Sequence, residues 1–120
     1  MHEVSIARSI IDEVKKSCSR KILVRIEKIN IKIGQATCVS PESLDKAFTA
    51  LKKDTPLENA ELNIKKIPLE IKCRECRKKT RDAQWPVLLC GSCSSNSVDI
   101  ITGRELRIDT VEIDDSKRQF

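Results

Sequence analysis

Four cysteines constrain this chain more than any other feature. They read Cys73-x-x-Cys76, then thirteen residues, then Cys90-x-x-Cys93. A CxxC turn brings two thiolates onto one ion while backbone N–H groups point at the sulfurs. Two such turns complete a tetrahedral four-sulfur site, which suits zinc; iron with the same ligands is the lesser alternative. Four thiolates fill the coordination sphere and leave no open position for water or substrate. The site is therefore expected to be structural, not catalytic. A module of roughly 30 residues with few apolar groups depends on such an ion for its folding energy. Gly91 is expected in the tight turn after Cys90. Cys18 and Cys38 are left over and read as small buried hydrophobes or idle thiols.

Net charge is +5, and the excess is local. Lys72–Arg81 reads KCRECRKKTR, six basic residues and one acidic; the other 110 residues hold 17 basic and 17 acidic side chains and balance. Zinc with four thiolates carries net negative charge, and Lys72, Arg74, Arg77 and Lys78 are placed to offset it. The competing reading is a zinc-ribbon nucleic-acid-binding module, with Lys72, Arg74, Arg77, Lys78, Lys79 and Arg81 on phosphates. Against it stands the scarcity of aromatics, Phe48, Trp85 and Phe120 only, too few for a base-stacking platform. A redox role for the CxxC pairs is disfavoured, because two pairs at ribbon spacing favour metal over thiol exchange.

The rest of the chain has the composition of a packed α/β domain. Val4, Ala7, Ile10, Ile11 and Val14 recur at helical spacing and predict a helix over 5–17, with Ser5 as its cap. Residues 22–33 are rich in β-branched side chains and predict a strand with a phase switch near Glu27-Lys28. Ser40-Pro41-Glu42 starts a second helix, with Leu44, Ala47, Phe48 and Leu51 as its apolar stripe. Residues 60–67 and 104–113 read as further strands, the latter with a phase slip. The expected fold is α/β: two helices packed on a small three-stranded sheet, with an inserted zinc-ribbon module. Residues 1–70 and 104–120 form one domain, and 71–103 the zinc-binding domain. No apolar stretch approaches the ~18 residues of a membrane span. No secretory signal is visible, so a cytoplasmic location with reduced thiols is expected.

The single histidine is His2. Its position gives it a chemistry that a surface histidine lacks. Met1 offers an α-amine, the amide nitrogens of His2 and Glu3 follow, and the His2 imidazole lies within chelating reach. Successive nitrogens close five-membered rings around a metal, and four nitrogens in a plane suit Ni(II) or Cu(II). Glu3 can contribute its backbone nitrogen or its carboxylate.

Met1-His2-Glu3-Val4-Ser5, the strand end Ile31-Lys32-Ile33-Gly34, Ser40-Pro41-Glu42-Ser43-Leu44 leading to Ala47-Phe48, and the two CxxC pairs occur in that order. Together they resemble the HypA/HybF family of nickel-incorporation accessory proteins of NiFe-hydrogenase maturation. The resemblance covers essentially the whole chain. It implies a two-lobed metallochaperone, not an enzyme, with Ni(II) as transient cargo at Met1, His2 and Glu3. It implies structural Zn(II) at Cys73, Cys76, Cys90 and Cys93. The implied partners are the GTPase HypB and the hydrogenase large subunit, with a link to urease accessory proteins in some organisms; neither nucleic acid nor membrane is expected. A monomer or homodimer fits. Some members of the family carry additional histidines near the zinc lobe, and this chain has none.

Overall fold

The computed structural model of the chain describes residues 3–83 and 85–114. These divide into two compact units. One takes the residues up to Ile31, then Val39–Ile64 and the chain from Ile108 on; the other takes Lys32–Cys38 and Lys65–Arg107.

The first unit opens with helix α1, Glu3–Ser17, which buries Ala7, Ile10, Ile11 and Val14 along one stripe. Ser5 lies inside this helix and is not its cap. Glu3 stands in the first turn, where the helix dipole favours an acid. The expected strand over 22–33 begins later than its composition suggests. Arg20–Leu23 forms a short helix, α2, because the Ser19 carbonyl accepts the N–H groups of Ile22 (3.0 Å) and Leu23 (2.9 Å). Burial of Leu23 outweighs the β propensity of its neighbours. Strand β1 is Ile26–Gly34. Within it Ile26, Ile29 and Ile31 are buried while Glu27 and Lys28 are both exposed, so the phase switch is present where expected.

Helix α3, Pro41–Leu51, starts as its sequence dictates: the Ser40 hydroxyl accepts the Ser43 N–H at 3.3 Å, and proline occupies the first turn. Leu44 and Phe48 are fully buried, and α3 packs against α1. Lys52 closes the helix twice. Its N–H donates to the Phe48 carbonyl at 2.9 Å, and its ammonium donates to the Ala60 carbonyl at 2.7 Å.

Strands β2, Glu61–Ile67, and β6, Leu106–Ile113, flank β1 in a three-stranded sheet of order β2-β1-β6. The slip expected in the last strand falls at Asp109-Thr110, two successive exposed residues. On the face opposite Ile29 and Ile31 a polar chain ties the three strands together. Asn63 Nδ2 donates to Asn30 Oδ1 at 2.8 Å, and Asn30 Nδ2 donates to Thr110 Oγ1 and Glu112 Oε2, each at 3.0 Å.

The second unit is built on another three-stranded sheet, made of β3 (Glu70–Cys73), β4 (Lys79–Thr80) and β5 (Val98–Thr102) in the order β4-β3-β5, all antiparallel. Leu69, Ile71 and Ala83 form its core, with Ala36, Leu88, Val98 and Ile100 packed around them. Strand alternation puts Cys73 on the same buried face as Ile71. The apolar core therefore runs straight into the cysteine cluster.

Candidate metal centre

The two CxxC turns are built alike. Cys73 ends β3, and the N–H of each first cysteine is tied across the turn: Cys73 N–H to the Lys78 carbonyl at 3.0 Å, Cys90 N–H to the Ser95 carbonyl at 2.8 Å. Each first sulfur then receives amides from inside the turn. The N–H groups of Glu75 and Cys76 reach Cys73 Sγ, and that of Ser92 reaches Cys90 Sγ, all at 3.4 Å. Each turn leaves through a left-handed residue directly after its second cysteine, Arg77 at φ 63° and Ser94 at φ 60°. The left-handed positions are thus these two, and Gly91 is not among them. Gly91 instead donates its N–H to Thr80 Oγ1 at 2.9 Å, which fastens the second turn to β4.

The four sulfurs converge within 4.8 Å of one another. Cys73 Sγ is 3.6 Å from Cys93 Sγ, and Cys76 Sγ is 3.5 Å from Cys90 Sγ. A tetrahedron with zinc–sulfur bonds of ~2.3 Å has edges of about 3.8 Å, so the spacing suits a four-sulfur metal site. The donor set suits zinc as well, being all thiol with no water position built in.

Without an ion the four thiols divide their protons unequally. The N–H of Cys93, helped by that of Ser92, draws the Cys90 thiol down to about 6. The N–H of Cys76, with that of Glu75, lowers Cys73 against the cost of desolvation. Cys93 is pushed up to about 12: the Ser95 N–H opposes the rise, but the Cys73 sulfur, desolvation and the Cys90 and Cys76 sulfurs outweigh it. Cys76 is raised too, the Lys78 N–H being overcome by the Cys90 sulfur, desolvation and the Cys73 sulfur. Sulfurs this close cannot all ionise together unless a cation sits among them.

The basic cluster is partly engaged elsewhere. Arg74 donates Nε and a terminal nitrogen to Asp99 Oδ1, at 3.0 and 2.5 Å, which lowers the Asp99 carboxyl and raises the guanidinium. Arg74 thus shares its charge with Asp99 in a solvent-exposed pair. Asp99 escaped the sequence reading. The signal was the alternation of Val98-Asp99-Ile100, which marks a strand, and the register sets Asp99 opposite Lys72. Cys38 is exposed and Cys18 half-buried, and neither belongs to the cluster. Of the three residues expected to hold nickel, Glu3 lies in the first turn of α1, while Met1 and His2 lie outside the described residues.

Comparison with known proteins places the chain in a family. The family model described as "Hydrogenase/urease nickel incorporation, metallochaperone, hypA" matches residues 1–113. The hydrogenase maturation factor HypA of Desulfatibacillum aliphaticivorans is 37% identical over 118 residues, covering 96% of this chain and 88% of that protein. The guanidine hydrolase-activating protein A of Synechocystis is 36% identical over 113 residues, covering 93% of this chain and 94% of its own length. The solution structure of the Ni metallochaperone HypA from Helicobacter pylori shares the fold, with a TM-score of 0.64 at 24% identity, over 94% of this chain and 97% of that one. From the family match and the near full-length relatives, the chain belongs to the HypA family of hydrogenase/urease nickel-incorporation metallochaperones.

Proposed function

We propose that this chain carries Ni(II) at Met1, His2 and Glu3 and surrenders it to the NiFe-hydrogenase large subunit during maturation. The observation that carries the reading is the family match over residues 1–113, which includes the Met-His-Glu terminus. Nickel held at a chain end can be reached by a partner and its ligands replaced one at a time, which suits a carrier better than a buried cage. Zinc bound by Cys73, Cys76, Cys90 and Cys93 supplies structure: four charged ligands around one ion hold the two turns together. The chain acts as a carrier, not an enzyme, in the cytoplasm. Among the described residues no helix is long and apolar enough to cross a membrane.

The proposed partners are the GTPase HypB and the hydrogenase large subunit that accepts the metal, with a link to urease accessory proteins in some organisms. The Synechocystis relative is named for activating a guanidine hydrolase. The deciding experiment complements a strain lacking its own nickel carrier with the native gene and with His2→Gln. The native gene restores hydrogenase activity at low nickel, and the variant restores it only when nickel is supplied in excess. Equal rescue by both at low nickel would refute the terminal site.

A further inference from the structure

Burial sorts the four thiols into two kinds. Cys73 and Cys90 are 1% and 3% exposed, whereas Cys76 and Cys93 are open to solvent. The kinds alternate along the chain, so that each turn holds its first sulfur inside and its second outside. Amides inside each turn aim at the inner sulfur, from Glu75 and Cys76 in one case and Ser92 in the other, while the outer sulfurs Cys76 and Cys93 take theirs from Lys78 and Ser95 just beyond it. Around the outer pair the chain offers little shielding: Cys93 stands among Gly91, Ser92 and Ser94, all exposed.

A metal-bound thiolate remains a nucleophile, and access governs how fast it reacts. We infer that Cys76 and Cys93 are modification sites, through which low-molecular-weight disulfides and soft electrophiles enter the metal centre and release its ion. The inference rests on the zinc reading of that centre. With a disulfide R–S–S–R, the outer thiolate attacks one sulfur. The reagent's S–S bond breaks, a new S–S bond forms between the cysteine and one R–S group, and the other R–S group leaves as a thiolate. The reagent is the only oxidant needed. The ion loses one anionic ligand and its closed coordination opens. Cys73 and Cys90 are spared, because no reagent reaches them until an outer ligand has gone.

The test uses the native zinc-loaded chain. Zinc is measured first, and the protein is then treated with substoichiometric N-ethylmaleimide or, separately, with oxidised glutathione. Peptide mapping after an acid quench reads the modified positions, and a chromophoric chelator reads released zinc. Cys38, exposed and outside the cluster, is the internal reference for a free thiol. Cys76 and Cys93 are expected to react at least about 10-fold faster than Cys73 and Cys90, with zinc released in step with their modification. Uniform labelling of the four, earlier labelling of Cys73 or Cys90, or zinc loss with only Cys38 modified would overturn the inference. Protein that holds no zinc before any reagent is added would overturn the zinc reading and this inference with it, and the initial metal measurement tells the two failures apart.

Discussion

A Cβ placed on Gly34 would lie 2.0 Å from the carbonyl oxygen of Gly103. Two backbones pass here too closely to admit a side chain. The Gly34 N–H donates to the Glu105 carbonyl at 2.6 Å, and the Ala36 N–H donates to the Gly103 carbonyl at 2.8 Å. Gly103 is itself at φ 114°, and a Cβ there would stand 2.7 Å from the Cα of Leu69, a core residue of the same unit.

Gly34→Ala should therefore lower stability by at least about 2 kcal/mol, since only backbone can move to make room. Gly91→Ala is the contrast. Its new methyl would rest 3.4 Å from the Thr80 side chain in ordinary backbone conformation, so a change within about 1 kcal/mol is expected. Thermal unfolding of the two variants beside the native chain checks both, and a Gly34→Ala variant as stable as native would refute the close crossing.

Replacing Cys73 by Ser should abolish tight zinc binding and unfold the second unit. Cys73 is buried beside Ile71, so the loss strikes core and metal together. Amide hydrogen exchange should show protection lost over 70–102 and kept in α1 and α3. Metal analysis showing full zinc in this variant would remove Cys73 from the ligand set.

Zinc affinity should rise with pH. In the metal-free chain near pH 7 Cys93, at about 12, and Cys76, raised above its ordinary value, carry protons, while Cys90, at about 6, is mostly thiolate. The ion must displace at least those two protons, so apparent affinity climbs about 100-fold per pH unit around neutrality. Below about 6 Cys90 of the metal-free chain takes up a proton as well, the ion must displace a third proton, and the dependence steepens. Competition titrations with a zinc chelator at pH 6, 7 and 8 measure the slope. A slope near zero would mean that the thiols are already ionised without metal.

The nickel proposal stands or falls at the α-amine. One Gly added before Met1 keeps every side chain but converts that amine into an amide and alters the chelate rings. Nickel binding should weaken at least ~10-fold, about 1.4 kcal/mol, for this variant and for His2→Gln, with zinc content unchanged. Calorimetric titration of the three proteins decides it. Unaltered affinity in the extended form would exclude the amine as a ligand.

How far the residues alone could be read depended on what held each segment. Helices α1 and α3 were legible because apolar spacing, Ser40 and Pro41 all specify the same elements. The four cysteines were legible because metal geometry fixes their spacing. Strands β3, β4 and β5 were not, for they are two to five residues long and take their regularity from pairing with one another. Ile22 and Leu23 were assigned to a strand from β-branched composition, yet a short turn anchored on the Ser19 carbonyl claims them. The segment Lys32–Cys38 carries no mark of the metal unit, and it joins that unit through backbone bonds and the Gln35 side chain, whose Oε1 accepts the Leu69 N–H at 3.1 Å. Such contacts follow from where the chain travels, and no local pattern encodes them.

Arg77 and Ser94 occupy the left-handed region without the freedom that glycine would bring, at a cost of roughly 1–2 kcal/mol each. That cost is set against whatever holds the two turns in place, and a bound ion strengthens that hold by drawing the four sulfurs together. Arg77→Gly and Ser94→Gly should relieve the tension and leave a metal-free unit that stays ordered to higher temperature. The gap in melting temperature between loaded and stripped protein should narrow accordingly. Glycine at both positions would lower the zinc concentration at which the second unit becomes ordered, whereas this chain raises that threshold by the left-handed cost of two side chains.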